Sequence, residues 1–242
     1  MVVICTIGIP AANAGWTDYL GKLKDTVASP KTAASGNQLT SSEMITALKQ
    51  ALNKGTQFAV EKLGQKGGFL NNSQVRIPMP SSLSWVEKSL RSLGQNTLAD
   101  EFTATMNRAA EQAVPEAAAI FGRAIQAMSV ADAKAILSGS DDAATHYFRE
   151  RTEAALSKKM RPIVTQATEK AGVTSAYKRM TASAGGLGSF LSNETTDIDG
   201  YVTAKTLDGL FLMVAEEEKK IRANPLARST ELMKKVFAAY SQ

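Results

Sequence analysis

A single cysteine, Cys5, and a single histidine, His146, stand in a chain of 242 residues, and each scarcity removes a class of chemistry. One thiol cannot form a disulfide framework or a cysteine zinc site, and one imidazole cannot supply a multi-histidine metal centre. Any histidine-dependent triad would have to use His146. Aromatics make up 6% of the residues, too few for the stacking platforms that bind single-stranded nucleic acid. No Walker loop, dinucleotide fingerprint, nucleophile elbow or zinc spacing occurs. With 44% apolar and 21% charged residues, the text is that of a globular protein whose size supports a core without covalent or metal staples.

The first fourteen residues carry no charge and end in Ala12-Asn13-Ala14, the small-x-small pattern of a signal-peptidase site. We therefore expect a signal peptide over 1–14, cleavage before Gly15, and export to the periplasm. Val2 follows Met1 with no basic n-region, which a translation start upstream of Met1 would supply. The run is too short to span a bilayer and would also suit a short buried segment. Ile4 before Cys5 argues against lipidation. Cleavage would leave the mature chain without a thiol.

From Gly15 onward the periodicity is close to 3.6, and the expected fold is an all-α bundle of about eight or nine helices. A short helix from Trp16 to Val27 and a flexible Ser/Pro/Gly linker complete segment 15–38. The helical domain occupies 39–242. Thr40-Ser41-Ser42-Glu43 has capping-box spacing, and Met44, Ile45, Leu48, Leu52, Ala59 and Leu63 form one face running to Gly64. Gly64 to Ser81 contains Gly67-Gly68, Asn71-Asn72 and Pro78-Met79-Pro80. It is predicted to be an irregular, functional loop. Helices are predicted at about Leu83–Leu93, Thr97–Val114, Pro115–Met128, Val130–Leu137, Asp141–Ala171, Ser175–Ser183, Gly200–Ala223 and Pro225–Tyr240. Pro115 and Pro162 are expected to kink or break theirs. A second irregular segment runs from Ala184 to Asp199.

Several ordered motifs carry a resemblance. They are Met106–Ala117 (MNRAAEQAVPEA), Asp132–Gly139 (DAKAILSG), Ala143–Phe148 (AATHYF), Tyr201–Lys205 (YVTAK), Leu207–Phe211 (LDGLF), and Glu216-Glu217-Glu218 through Ile221–Pro225. From Leu39 to Phe237 the chain resembles the bacterial domain of unknown function 4197 family. The resemblance implies a helical, usually exported bacterial protein, and it supplies no catalytic residues.

Glu218 is the leading polar candidate. It falls inside the stripe Leu207, Leu210, Phe211, Val214 and Ile221, where an unpaired carboxylate costs several kcal/mol. Its partner would be Arg222 one turn on, or Arg108, Arg149 or Arg161 from another helix. A desolvated carboxylate there would serve as a general acid, receive a cationic ligand, or form a structural ion pair. Glu216 and Glu217 are expected to be solvated.

Asn107 and Glu111, flanked by Arg108, lie opposite the stripe Leu98, Phe102, Met106, Ala109 and Ala113, so they face water or another helix, and a family-like motif on a polar face suggests a second contact surface. These five residues, Glu218, Arg222, Asn107, Arg108 and Glu111, are the candidate ligand or partner site. His146 is predicted to be exposed, on the side away from Ala144, Phe148, Thr152, Ala155 and Ile163. Lys159 is expected to snorkel from that apolar face. Thr195 to Gly200 lacks the strong ligands of a calcium loop at its first and twelfth positions, so no metal is assigned, and Asp199 is read as a helix N-cap. Gly185-Gly186-Leu187-Gly188-Ser189 has no preceding strand and reads as a flexible loop.

The formal charge is +5. Basic groups at Lys158-Lys159-Arg161, Lys178-Arg179, Lys219-Lys220-Arg222 and Lys234-Lys235 are interleaved with glutamates, as on a solvated surface. The expected role is a non-enzymatic binding or structural module of the cell envelope. Its partner would be an unidentified protein or envelope component, with no cofactor, nucleic acid or transmembrane span. The alternatives are a hydrolase-like enzyme acting through Glu218, or a binder of anionic polymer or lipid.

Overall fold

A computed structural model describes residues 39–170, 172, 179 and 197–240. Expectations for the leader, the Trp16–Val27 helix, the linker, the Ser175–Ser183 helix apart from Arg179, and nearly all of the Ala184–Asp199 segment lie outside the described residues. Eight α-helices and three 3-10 turns form among the described residues, and no strand does. We number them α1 (Ser41–Gly64), α2 (Ser84–Ser92), α3 (Asn96–Ala113), α4 (Ala117–Ala127), α5 (Val130–Leu137), α6 (Ala143–Lys170), α7 (Ile198–Ala223) and α8 (Glu231–Tyr240). The 3-10 turns are Ser81–Leu83, Val114–Glu116 and Pro225–Ala227. No helix is long and apolar enough to cross a membrane among the described residues.

Local chemistry sets these boundaries. Thr40 caps α1 with the expected box: its hydroxyl accepts Glu43 N–H at 3.1 Å, and Glu43 accepts Thr40 N–H at 2.8 Å. Ser129 and Asp132 build a second box at the start of α5. Pro115 sits in the 3-10 turn separating α3 from α4, whereas α6 continues through Pro162. The expected single helix from Pro225 to Tyr240 is divided, because Asn224 caps a 3-10 turn by accepting Leu226 N–H, and Arg228 then takes an extended conformation. Asp197, not Asp199, is the N-cap of α7, receiving Gly200 N–H at 2.8 Å. The Asp199 carboxylate instead accepts the Thr168 hydroxyl from α6.

Helices α6 and α7 form the most extensive pair, and α1 packs across α7, α4, α5 and α8. The buried stripe of α6 runs Phe148, Thr152, Leu156, Met160 and Val164, a strict four-residue ridge. That register places Met160 in the core and leaves Ala155 and Lys159 exposed, so Lys159 does not snorkel from an apolar face as expected. Helix α3 is buried nearly all round in its second half, including Asn107 and Glu111. Arg108 and Gln112 of the same helix stay exposed, but Asn107 and Glu111 lie under the 65–80 loop, which overturns the solvated option for these two residues.

The Gly64–Ser81 segment is irregular, as predicted, but it is part of the core. Phe69 and Ile77 are fully buried and Val75 is nearly so. Gly209 makes this docking possible: a Cβ there would meet Phe69 Cε1 at 2.8 Å and Val75 Cβ at 3.1 Å. The LDGLF motif thus carries its glycine where the loop lies against α7.

Candidate functional site

The candidate residues fall in two polar clusters among the described residues, and both bind backbone. In the first, Glu218 projects from α7 toward the start of α6. Its Oε1 accepts Ala144 N–H at 2.9 Å, and its Oε2 accepts Thr145 N–H and the Thr145 hydroxyl, both at 2.9 Å. Arg222, one turn on, donates to Oε1 from Nε at 3.1 Å and from Nη2 at 2.9 Å. Of the candidate arginines, Arg222 is the one that pairs with Glu218. Nη2 also donates to Ile136 O at 2.8 Å, near the C-terminal end of α5. One carboxylate therefore caps α6 and fixes a guanidinium that closes α5. Three helices meet at this pair, in which Glu218 is buried, with 7% of its side chain exposed, and Arg222 is part-buried, at 12%.

In the second cluster, α3 grips the 65–80 loop. Glu111 Oε1 accepts Phe69 N–H at 3.1 Å and Leu70 N–H at 3.2 Å. Asn107 binds Ile77 from both sides, accepting its N–H and donating to its carbonyl, each at 2.9 Å. Its second amide hydrogen goes to Thr103 O at 2.8 Å. A side-chain amide that accepts and donates to one residue is a substitute strand, satisfying a loop that has no ladder of its own. Tyr201 of α7 adds a bond to Pro78 O at 3.0 Å. Asn107 and Glu111 face this chain's own loop. Arg108 points away and is exposed.

The other candidates separate. His146 is exposed and pairs with Asp142 at 3.2 Å. Glu217, expected in solvent, is buried beside Lys220, because α7 approaches α1 at Gly55, where a Cβ would lie 3.6 Å from Glu217 Cβ. Arg161, Arg179, Lys220, Lys234 and Lys235 each meet a carboxylate: Asp197, Glu101, Glu217, Glu231 and Glu43 respectively. These pairs break up the basic groups along the surface. Among the described residues, no cluster of three or more metal-ligating side chains forms.

The space around the first cluster is unequal on its two sides. Inward lies a cavity of about 20 Å³ among Leu48, Leu52, Val214, Ile221 and Phe237, large enough for about one water. Outward, an open groove of about 770 Å³ runs between the α5–α6 turn, the end of α7 and the end of α8. Arg222 and Phe237 line both. Lys219 and Asp141 stand on the groove, and neither has an ionic or hydrogen-bonding partner among the described residues. Sequence reading placed Lys219 in a surface group and passed over Asp141. The available signal was Lys219 and Arg222, three residues apart on one helix face. Two further surface grooves border Phe58 and Arg76.

The family model described as "Protein of unknown function (DUF4197)" matches residues 38–238. The chain belongs to this family. Comparison with curated proteins and with solved structures gave no match. The side chains at the centre of both clusters, Asn107, Glu111, Glu218 and Arg222, and the loop residues that they hold all fall within the family match.

Proposed function

We propose that this protein is an exported, non-enzymatic binding module of the bacterial cell envelope, acting in the periplasm after removal of residues 1–14. The observation that carries the reading is the commitment of its interior polar groups. Glu218, the residue best placed for acid–base work, already accepts five hydrogen bonds from Ala144, Thr145 and Arg222, and the cavity beside it holds about one water. A general acid or base must reach the atom whose proton it moves. The open groove beside Arg222 has a volume in the range of small-molecule sites, and Asp141, Lys219 and Arg222 give its rim the charges for recognition.

Native mass spectrometry of protein purified gently from the envelope of its own host tests this. The expected spectrum shows a chain beginning at Gly15 and carrying a non-covalent species that is released unchanged. Retention of Met1 would overturn the export reading, and turnover of the bound compound would overturn the non-enzymatic one.

A further inference from the structure

We infer that the groove between the α5–α6 turn, α7 and α8 binds a zwitterion with an apolar body: a free apolar amino acid or a short peptide bearing both an α-ammonium and an α-carboxylate. This rests on the binding-module reading and names its ligand class. The donor side is built in advance. Arg222 is held by Glu218 and Ile136 O through Nε and Nη2, while its Nη1 makes no hydrogen bond among the described residues and is not sealed from solvent. Lys219, one turn earlier on the same helix, lines the same groove with an unpartnered ammonium. A guanidinium locked by three bonds loses little freedom on receiving a carboxylate, the condition for a preorganised site.

The charge balance selects the rest of the ligand. Glu218 already neutralises Arg222, and Asp141, also unpartnered, offsets Lys219 across the groove. A dianion such as a phosphate ester would meet no net positive field and would face Asp141. A ligand carrying one positive and one negative charge satisfies both ends. Leu137, Ala223, Phe237 and Ala239 add apolar surface to a lining that also includes Ser138 and Tyr240, so an apolar body has side chains to meet in the same groove. An open volume of about 770 Å³ suits ligands from a single amino acid to a few residues of peptide.

Titration calorimetry on the dialysed full chain tests the class, using L-leucine, L-leucyl-L-leucine, N-acetyl-L-leucine and L-leucinamide. The zwitterions should bind, and either blocked compound should bind at least about tenfold more weakly, a loss of about 1.4 kcal/mol. Tighter binding of leucine assigns free amino acids, and tighter binding of the dipeptide assigns peptide ends; both support the inference. Lys219→Gln and Asp141→Asn, at two exposed positions, should each weaken leucyl-leucine by about tenfold with an unchanged circular dichroism spectrum. Equal binding of N-acetyl-L-leucine would make this a simple anion site and overturn the inference. So would the absence of heat from every zwitterion at millimolar concentration. A co-purified compound of other chemistry would sink this ligand class while sparing the binding-module reading, and its conversion by the protein would sink the latter.

Discussion

Replacing Glu218 with alanine removes five accepted hydrogen bonds, and the structure permits its cost to be worked through. Helix α6 loses the carboxylate that receives Ala144 and Thr145 N–H, a capping loss of about 1 kcal/mol. Arg222 loses its counter-ion while remaining largely buried, which in comparable settings costs about 3–5 kcal/mol. Two features soften that cost: Arg222 keeps its bond to Ile136 O, and the outer groove gives it access to water. We therefore expect a total of about 3–4 kcal/mol and a fall in Tm of about 10 °C for a domain of this size. Urea unfolding followed by far-UV circular dichroism reads this directly, with the m-value unchanged. Glu216→Ala, two residues away and half-exposed, should shift stability by less than about 0.5 kcal/mol. In a double-mutant cycle, Glu218→Ala and Arg222→Ala should couple by about 1–3 kcal/mol. A loss below about 1 kcal/mol for Glu218→Ala, or additive effects in the cycle, would refute the view that this pair joins three helices.

Asn107→Ala leaves the buried N–H and carbonyl of Ile77 unsatisfied, with an expected cost of about 2–4 kcal/mol and faster tryptic cleavage at Lys66 and Arg76. Gly209→Ala places a methyl group 2.8 Å from Phe69 Cε1 and should cost about 1–3 kcal/mol by thermal unfolding, with the 65–80 loop losing amide-exchange protection first. The Lys235 ammonium, then the Thr40 N–H and hydroxyl, hold the Glu43 carboxyl down to about 2 from its ordinary 4.5. Because the folded value is the lower one, the contact between α1 and α8 contributes fully above about 4.5 and is lost as pH falls toward 2. Carbon-detected NMR titration should show this, and Lys235→Ala should return the midpoint toward the ordinary value. A Glu43 midpoint that ignores Lys235 would count against the contact.

Helical periodicity and caps made the architecture legible. The Thr40 box, the stop at Gly64, the span Val130–Leu137 and the stripe holding Glu218 all follow from spacing alone, since local side-chain and backbone bonds decide them. Residues whose roles depend on distant partners were misread. Asn107 and Glu111 look like a solvent face because the loop that covers them, 30 to 42 residues earlier, has no periodicity of its own. Glu217 looks solvated until Gly55 brings α1 against it. Lys159 was misplaced because 100° per residue accumulates error along a long helix, and the observed ridge advances in fours. The Glu218–Arg222 pair was readable as a pair, but not the backbone groups it holds, because Ala144, Thr145 and Ile136 come from other helices. Asp141 and Lys219 become a site only when the end of α8 folds beside them.

Whether Glu218 holds structure or performs chemistry is decided most directly by comparing native mass spectra of the wild type and Glu218→Gln, each purified cold from the host envelope. Glutamine keeps the size of the side chain but cannot serve as an acid or base. The expected result is the same bound species, unchanged, on both proteins, with Glu218→Gln the less stable of the two. A compound trapped on Glu218→Gln that the wild type carries only in converted form would contradict a structural role for Glu218 and with it the reading of this protein as a binding module.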